Sequence, residues 1–541
     1  MKSIKLIVQT LFYLVVLALL LSHAVTGGFS HDENQFIAAG QMLAYHGLIP
    51  YLNYPYTHMP YAVAFYALTA AVSNYDFLAG RIFTAVVWLL CTLLIVAIFR
   101  LISRKLTLLS KDGPSFPQLL WEFIIVGVFL NHPASRFVFG AALNHSLSTL
   151  FSLLALWIYI RGIGQKYFSN GAPFYSGICI CLAALIRFNY ASLIIVLLVL
   201  WLAYAFAARS SQYLRILVPH LGGLLMAAIP ALGLMALAPN GFYYTNLVYI
   251  RLNTVYYQEL LYRSNMSLAS KITSFFSAVV HTPIDVLLYV VLIYTAIVSL
   301  IRFRQAGLHA DAAGKSFIDL DKFAVSGFAF VLLLTAFAPT PTLAQYFFAP
   351  LPFLLIILAI LGYELLELNW GAYALTLLTV IFALTTSTKI PNPLEQIILL
   401  SKPSQWTPIQ VHDFAESLKQ YATSGRILTL IPMVPLEAGY DIYPVLTNGP
   451  FSWRTSLLLT PQRRAKYDVV SPNELPQILA QTPPDAVLTG FEIPNAGFER
   501  NDEPDGLEMP LINYASEHGY KPIVFAPPFV EYELTLWVKP H

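Results

Sequence analysis

Long apolar runs separated by short polar segments make up the first 388 residues of the chain. Several of these runs reach the roughly 18–20 residues that a helix needs to cross a hydrocarbon core of about 30 Å. The pattern predicts a mainly α-helical, polytopic membrane protein with about eleven transmembrane helices. The predicted spans lie near residues 4–22, 77–101, 119–131, 141–160, 174–187, 190–208, 216–238, 283–301, 323–338, 347–364 and 371–388.

The first apolar run has two interpretations. Lys2 and Lys5 precede it and the tripeptide SHA follows it, which is also typical of a secretory signal peptide. A retained first span fits the charge distribution of the rest of the chain better.

The pattern changes after residue 388. Residues 389–541 contain many prolines, more charges and only short apolar runs. The segments RILTLIP, DAVLTGF, KPIVFA and YELTLWV have the composition of strands, and PNELPQILAQ has that of a helix. We therefore expect a membrane domain over residues 1–388 and a small C-terminal α/β domain over residues 389–541.

The placement of charge predicts the orientation of the chain. The composition is 57% hydrophobic with a net charge of +2, which says little about partners. With the N-terminus in the cytoplasm, the inner segments hold fourteen Lys and Arg residues and the outer loops hold five. Basic residues concentrate on the cytoplasmic side of membrane proteins. We expect the first loop and the C-terminal domain to lie outside, and the setting to be a bacterial inner membrane.

The first outer loop, residues 22–76, contains no Lys or Arg. Residues 33–46 have a helical pattern that Gly47 and Pro50 end, and Pro60 can begin a second helix. Two short helices rich in aromatic residues should lie along the membrane surface, where they can roof a cavity facing the lipid.

Two adjacent carboxylates, Asp32 and Glu33, precede the first of these helices. Ser30 and Glu33 have the spacing of a capping box, so a structural role for Glu33 is one interpretation. Asp32 is not needed for that cap, although the helix dipole alone could explain it. The alternative is that Asp32 accepts a proton at the membrane edge, which requires a polar or cationic neighbour that keeps it ionised.

The stretch SHDENQFIAAGQMLAYHGLIPYLNYPYTHMPYAVAFYAL resembles the first outer loop of GT-C glycosyltransferases. The similarity is to the protein O-mannosyltransferases and the lipid A aminoarabinose transferases, as in glycosyltransferase family 39. Those enzymes follow an acid pair with two surface helices and a His-Pro-Pro or Glu-Lys-Pro-Pro stretch. Here Thr57–Pro60 (THMP) occupies that place, with Thr57 where some relatives have a metal-binding Glu. A metal is therefore not predicted, and no other cofactor is expected.

The resemblance implies transfer of a sugar from a polyprenyl-phosphate donor to a lipid, glycan or protein hydroxyl, with inversion. Asp32 would be the general base, with Glu33 beside it, and outer cations would gather the charge of the lipid phosphate. Each other candidate also has a structural interpretation, such as an interfacial anchor, a solvated loop or a hydrogen bond. The residues expected to contact substrates are His58, Tyr61, Arg187, Arg251, Glu259 and Arg263.

Two other classes of function remain open. A transporter or lipid flippase would place ionisable groups at mid-membrane and show paired repeats, neither of which the sequence displays. A non-catalytic membrane scaffold would tolerate loss of Asp32. The outer segments lack a basic patch, so no nucleic-acid partner is expected.

Overall fold

A computed structural model describes residues 2–109, 116–163, 171–207, 213–260, 266–306, 313–365, 370–387, 393–422, 425–492 and 506–539. A helix lies over every one of the predicted spans. The helices up to residue 387 are α1 (Lys2–Thr26), α2 (Glu33–His46), α3 (Tyr61–Ala70), α4 (Asp76–Leu109), α5 (Phe116–Asn131), α6 (Pro133–Phe139), α7 (Asn144–Ile163), α8 (Gly171–Ile186), α9 (Ser192–Ala207), α10 (Leu214–Leu237), α11 (Pro239–Tyr243), α12 (Tyr249–Val255), α13 (Leu268–His281), α14 (Pro283–Ala306), α15 (Ala313–Ala336), α16 (Leu351–Leu365) and α17 (Trp370–Ser387).

Six of the described helical segments are long and apolar enough to cross a membrane by length and composition. The segment 268–299, which bends by 113° between α13 and α14, raises this number to seven if it is a single span. Four further apolar helices, among them α3 and α8, are shorter. The structure thus has the predicted helices, while fewer of them than predicted meet the length criterion for spanning.

The loop after α1 contains two helices, α2 and α3, at the predicted positions. Gly47 ends α2 with a positive φ of 64°, and Pro60 is the residue before α3. The two helices pack closely at Gly40, where an added Cβ would lie 2.7 Å from the backbone of Tyr66. All residues of α2 from Glu33 to Met42 are buried. The first ten residues of α2 are therefore covered by protein, while Tyr45 and His46 at its end are exposed.

The part of the chain after α17, called the C-terminal domain below, contains a small sheet with helices around it. Its five-stranded sheet has the order β2-β1-β3-β5-β4, with β1 parallel to β2 and β3, and β5 antiparallel to β3 and β4. Strand β2 was not predicted, because two residues are too few to show the alternation of apolar and polar side chains that indicates a strand. The strands are β1 (Arg426–Thr429), β2 (Asp441–Ile442), β3 (Ala486–Thr489), β4 (Lys521–Phe525) and β5 (Leu534–Val538), and the helices are α18 (Pro393–Leu399), α19 (Thr407–Ser417), α20 (Met433–Glu437), α21 (Pro450–Thr455), α22 (Pro461–Tyr467), α23 (Leu475–Gln481) and α24 (Met509–Glu517).

The C-terminal domain packs directly on the membrane domain. One continuous apolar cluster contains residues of α1, α2 and α4 together with residues of β1 and β5. Polar contacts cross the same boundary: Asn34 of α2 accepts a hydrogen bond from the backbone of Met433 at 2.9 Å, and Glu437 accepts one from the backbone of Phe77 at 3.0 Å. This packing fixes the C-terminal domain over the N-terminal end of α2, where Asp32 lies.

Candidate functional site

A cavity of about 790 Å³ lies between the two domains at the N-terminal end of α2. Its walls come from the end of α1, the following loop, α6, the segments around Tyr257 and Gln345, and the C-terminal domain. The charged or titratable lining residues are His23, His31, Asp32, Arg136, Tyr256, Tyr257, Arg454 and Glu492.

Asp32 is the predicted site residue that opens into this cavity. It is the residue before α2, and its side chain keeps 32% of its accessible surface. Burial raises its pKa, but the positive charges of His31 and Arg454 lower the pKa below the usual value. The carboxylate therefore stays ionised, which a base for a hydroxyl requires.

Glu33 has a different environment. Its side chain has no exposed surface and pairs with Arg81, whose Nε and Nη2 each donate at 2.6 Å. The same carboxylate accepts from the backbone N–H groups of Ser30 and Ala142. Both carboxylate oxygens of Glu33 thus accept hydrogen bonds. Through them, Glu33 connects the first loop to α4 and to the segment before α7.

The capping box is half formed. Glu33 reaches back to the backbone N–H of Ser30 at 3.0 Å, as the spacing predicts. The helix begins at Glu33, however, and no side chain caps it. Arg81, which binds Glu33, has no local signal in the sequence because it lies inside a predicted span.

Arg187 is a half-buried cation that interacts electrostatically with Asp32. It follows α8, donates to Asn144 at 3.0 Å and to Asn189 at 3.3 Å, and stacks over the ring of Tyr346. Its charge acts on Asp32 and on His58. Burial, with the charge of Arg187, lowers the pKa of His58 to about 4 although Asp32 opposes the shift. His58 is thus neutral, and Arg187 provides the fixed positive charge on this side of Asp32.

Arg454, in α21 of the C-terminal domain, provides a second cation that the sequence analysis missed. Its guanidinium donates to Asn253 at 2.8 Å and lies over the rings of Tyr256, Tyr257 and Phe451 at 4.8–5.5 Å. Among the described residues no carboxylate lies within salt-bridge distance of Arg454, and its Nε has no hydrogen-bond partner. A guanidinium without a carboxylate partner can bind an anion through charge-assisted hydrogen bonds.

Of the other predicted substrate contacts, the described residues Tyr61 and Arg251 do not line the cavity. The hydroxyl of Tyr61 donates a hydrogen bond to the carbonyl of Ala227 and accepts one from the N–H of Ala231. It thereby bridges two backbone groups of α10 beside Pro230. Arg251 is exposed. Arg263 and the side chain of Glu259 lie outside the described residues.

The described residues contain no group of three or more His, Cys, Asp or Glu side chains that could hold a metal ion. Thr57, at the position of the metal-binding Glu in some relatives, accepts a hydrogen bond from Asn448 of the C-terminal domain at 2.9 Å. Thr57 therefore has a neutral partner in this structure.

No protein-family model matches the chain, and no curated protein matches it. Solved structures do. The chain is similar to ArnT from Cupriavidus metallidurans bound to undecaprenyl phosphate, with 12% identity, 98% of this chain and 97% of that chain covered, and a TM-score of 0.46. It is similar to the Archaeoglobus fulgidus oligosaccharyltransferase complexed with Zn and sulfate, with 16% identity, 79% and 62% covered, and a TM-score of 0.43.

A third similar structure is the oligosaccharyltransferase AglB from Archaeoglobus fulgidus with an inhibitory peptide and a dolichol-phosphate, at 14% identity and a TM-score of 0.44, covering 89% of this chain and 69% of that one. This chain spans only 62% of the first oligosaccharyltransferase structure.

Proposed function

We propose that this protein is a membrane glycosyltransferase that moves a sugar from a polyprenyl-phosphate donor to an acceptor hydroxyl, with Asp32 as the general base. The observation that carries the proposal is an ionised Asp32 in a cavity of about 790 Å³ between the membrane domain and the C-terminal domain, with Arg187 and Arg454 within electrostatic reach. One carboxylate with two cations suits a reaction that removes one proton and releases one phosphate.

The reaction is a single displacement. Asp32 takes the proton of the acceptor hydroxyl as the oxygen attacks the anomeric carbon, and the electron pair of the breaking C–O bond leaves on the lipid phosphate. Arg187 and Arg454 attract the negative charge that this phosphate gains. Attack opposite the leaving group inverts the anomeric carbon.

The proposal includes the layout that the sequence predicts. Residues 1–388 hold the membrane spans, residues 389–541 lie on the outer face, and the N-terminus is cytoplasmic in a bacterial inner membrane. The end of α1 and helix α6 line the cavity on the membrane-domain side, where a lipid phosphate can arrive. The C-terminal domain lines the opposite side and would meet a lipid, glycan or protein acceptor.

The test is transfer from radiolabelled undecaprenyl-phosphate sugars to cell-envelope acceptors by the purified protein. We expect Asp32→Asn to lower the rate about 10²–10⁴-fold, the usual contribution of a general base. The control is Asp413→Asn, which changes an exposed carboxylate of α19. Equal transfer by a folded Asp32→Asn variant would contradict the role of Asp32. No transfer by the wild type from any donor in the panel would contradict the proposed function.

A further inference from the structure

His31, the residue before the proposed base, lies between two carboxylates. Its Nε2 is 2.6 Å from Oε1 of Glu492, in the loop that follows β3 of the C-terminal domain. Its Nδ1 is 3.7 Å from Oδ1 of Asp32, a distance at which charges interact but a hydrogen bond does not form. The imidazole therefore links Asp32 to the C-terminal domain.

Two aromatic rings of the C-terminal domain hold the same imidazole. The ring of Phe491 stacks on His31 at 5.1 Å with an interplanar angle of 8°, and the ring of Phe451 meets it edge-on at 5.2 Å. A cation over an aromatic face is favoured. Three contacts from the C-terminal domain thus fix the position of one side chain in the first loop.

The geometry favours a protonated imidazole. A neutral ring that donates from Nε2 to Glu492 would turn the lone pair of Nδ1 towards Asp32, which is repulsive. A protonated ring presents an N–H to both carboxylates. Burial by itself lowers the pKa of His31, but the charge and hydrogen bond of Glu492, together with the charge of Asp32, raise the pKa to about 10.

We propose that Glu492 is a positioning residue for the proposed base: by holding His31 as a cation beside Asp32, it makes the C-terminal domain part of the catalytic apparatus. This inference rests on the proposed function. Removing the charge of Glu492 should release His31, and Asp32 would then lose the cation that fixes its carboxylate.

Other charged groups interact with Asp32 and Glu492, the two carboxylates beside His31. Asp32 also interacts with His58, Arg187 and Arg454. Glu492 also interacts with Arg454, Tyr532 and Glu508. Glu508 accepts from the backbone N–H groups of Gly490 and Glu492. None of these groups touches both nitrogens of His31, so the state of its ring depends chiefly on Glu492 and Asp32.

The inference predicts the pH dependence of transfer. A group whose pKa is raised in the folded protein contributes below that pKa and is lost as the pH rises through it. For wild type we expect the contribution of His31 to persist until about pH 10. In Glu492→Gln the pKa of His31 should return towards its ordinary value of about 6.5, so the alkaline limb of kcat/KM should move to about pH 6–7. At pH 8 only about 1–10% of the His31 rings would then be protonated, so transfer should be about 10–100-fold slower.

The experiment compares kcat/KM from pH 5 to 10 for wild type, Glu492→Gln, His31→Gln and Glu437→Gln. The last is a matched control because Glu437 pairs with His412 at 3.0 Å elsewhere on the domain boundary. We expect the alkaline limb of kcat/KM to move to lower pH in Glu492→Gln and to be absent in His31→Gln. In Glu437→Gln it should stay at the wild-type pH. If Glu492→Gln fails to fold, Glu492→Asp keeps the charge and should keep the limb near the wild-type pH.

A readout independent of transfer is the ¹⁵N chemical shift of the His31 ring, assigned by its loss in His31→Gln. The ring should remain protonated at pH 8 in wild type and be mostly neutral in Glu492→Gln. An alkaline limb and a ring titration that are the same in wild type and Glu492→Gln would overturn the inference while leaving the role of Asp32 intact. An inactive wild type with the expected ring titration would contradict the proposed function and leave the His31–Glu492 link as a structural one.

Discussion

At the scale of single residues, Asp32 lies beside His31 in the chain and within electrostatic reach of Arg454, which comes from the C-terminal domain. Asp32 could be found because its signal is local: an acid pair, a loop without cations and a helix start within a few residues. Arg454 and Glu492 lie more than 420 residues further along the chain and carry no motif of their own. Their importance comes only from the domain contact that brings them to His31 and Asp32.

Arg454 supports a prediction about donor binding. We expect Arg454→Lys to lower kcat/KM for the polyprenyl-phosphate donor by about 10–100-fold, because Lys keeps the charge but loses the planar array of donors that a phosphate engages. Initial rates at varied donor concentration measure this effect. Arg463→Lys, an exposed substitution in the same domain, is the control. Equal loss in both variants would show that Arg454 does not contact the donor.

At the scale of elements, the hydropathy pattern predicted the helices and the strands with most of their positions. The predicted spans all coincide with helices because each depends on a long apolar run, and four of the five strands coincide with short apolar segments. The environment of α2 could not be obtained in this way. The sequence of α2 contains several polar residues, and it does not show that α3 and the C-terminal domain pack against the helix. This packing buries the residues from Glu33 to Met42.

The contact between α2 and α3 gives a prediction at this scale. In Gly40→Ala the new Cβ would lie 2.7 Å from the backbone of Tyr66, so α2 must shift. We expect a loss of about 1–3 kcal/mol in the free energy of unfolding and weaker transfer, since α2 carries Asp32 at its start. Thermal unfolding in detergent measures the change.

Gly127→Ala is the matched control for this substitution. Gly127 lies within α5, where nothing comes within 4 Å of an added Cβ. Replacement of a helical glycine in open space should stabilise the protein by about 0.5–1 kcal/mol. A Gly40→Ala variant as stable as Gly127→Ala would contradict the close packing of α2 on α3.

At the scale of the whole molecule, orientation is the prediction to test. The three native cysteines are buried, so a single added cysteine can be labelled against a low background. With an impermeant maleimide on intact spheroplasts, we expect labelling of Ser404→Cys in the C-terminal domain. Arg104→Cys, an exposed position in the last part of α4, should react only after lysis. The positive-inside distribution is the reason. The reverse pattern would place the C-terminal domain in the cytoplasm.

The sequence by itself determined that this chain is built of apolar helices with an α/β domain after them, and that an acid pair follows the first helix. These properties depend on local composition and period, which neighbouring residues specify. Tertiary structure alone decided that Glu33 is locked to Arg81, that Asp32 faces a cavity, and that His31 joins Asp32 to Glu492. Such pairings depend on which distant segments share an interface, and the strength of each charge depends on how much water that interface removes.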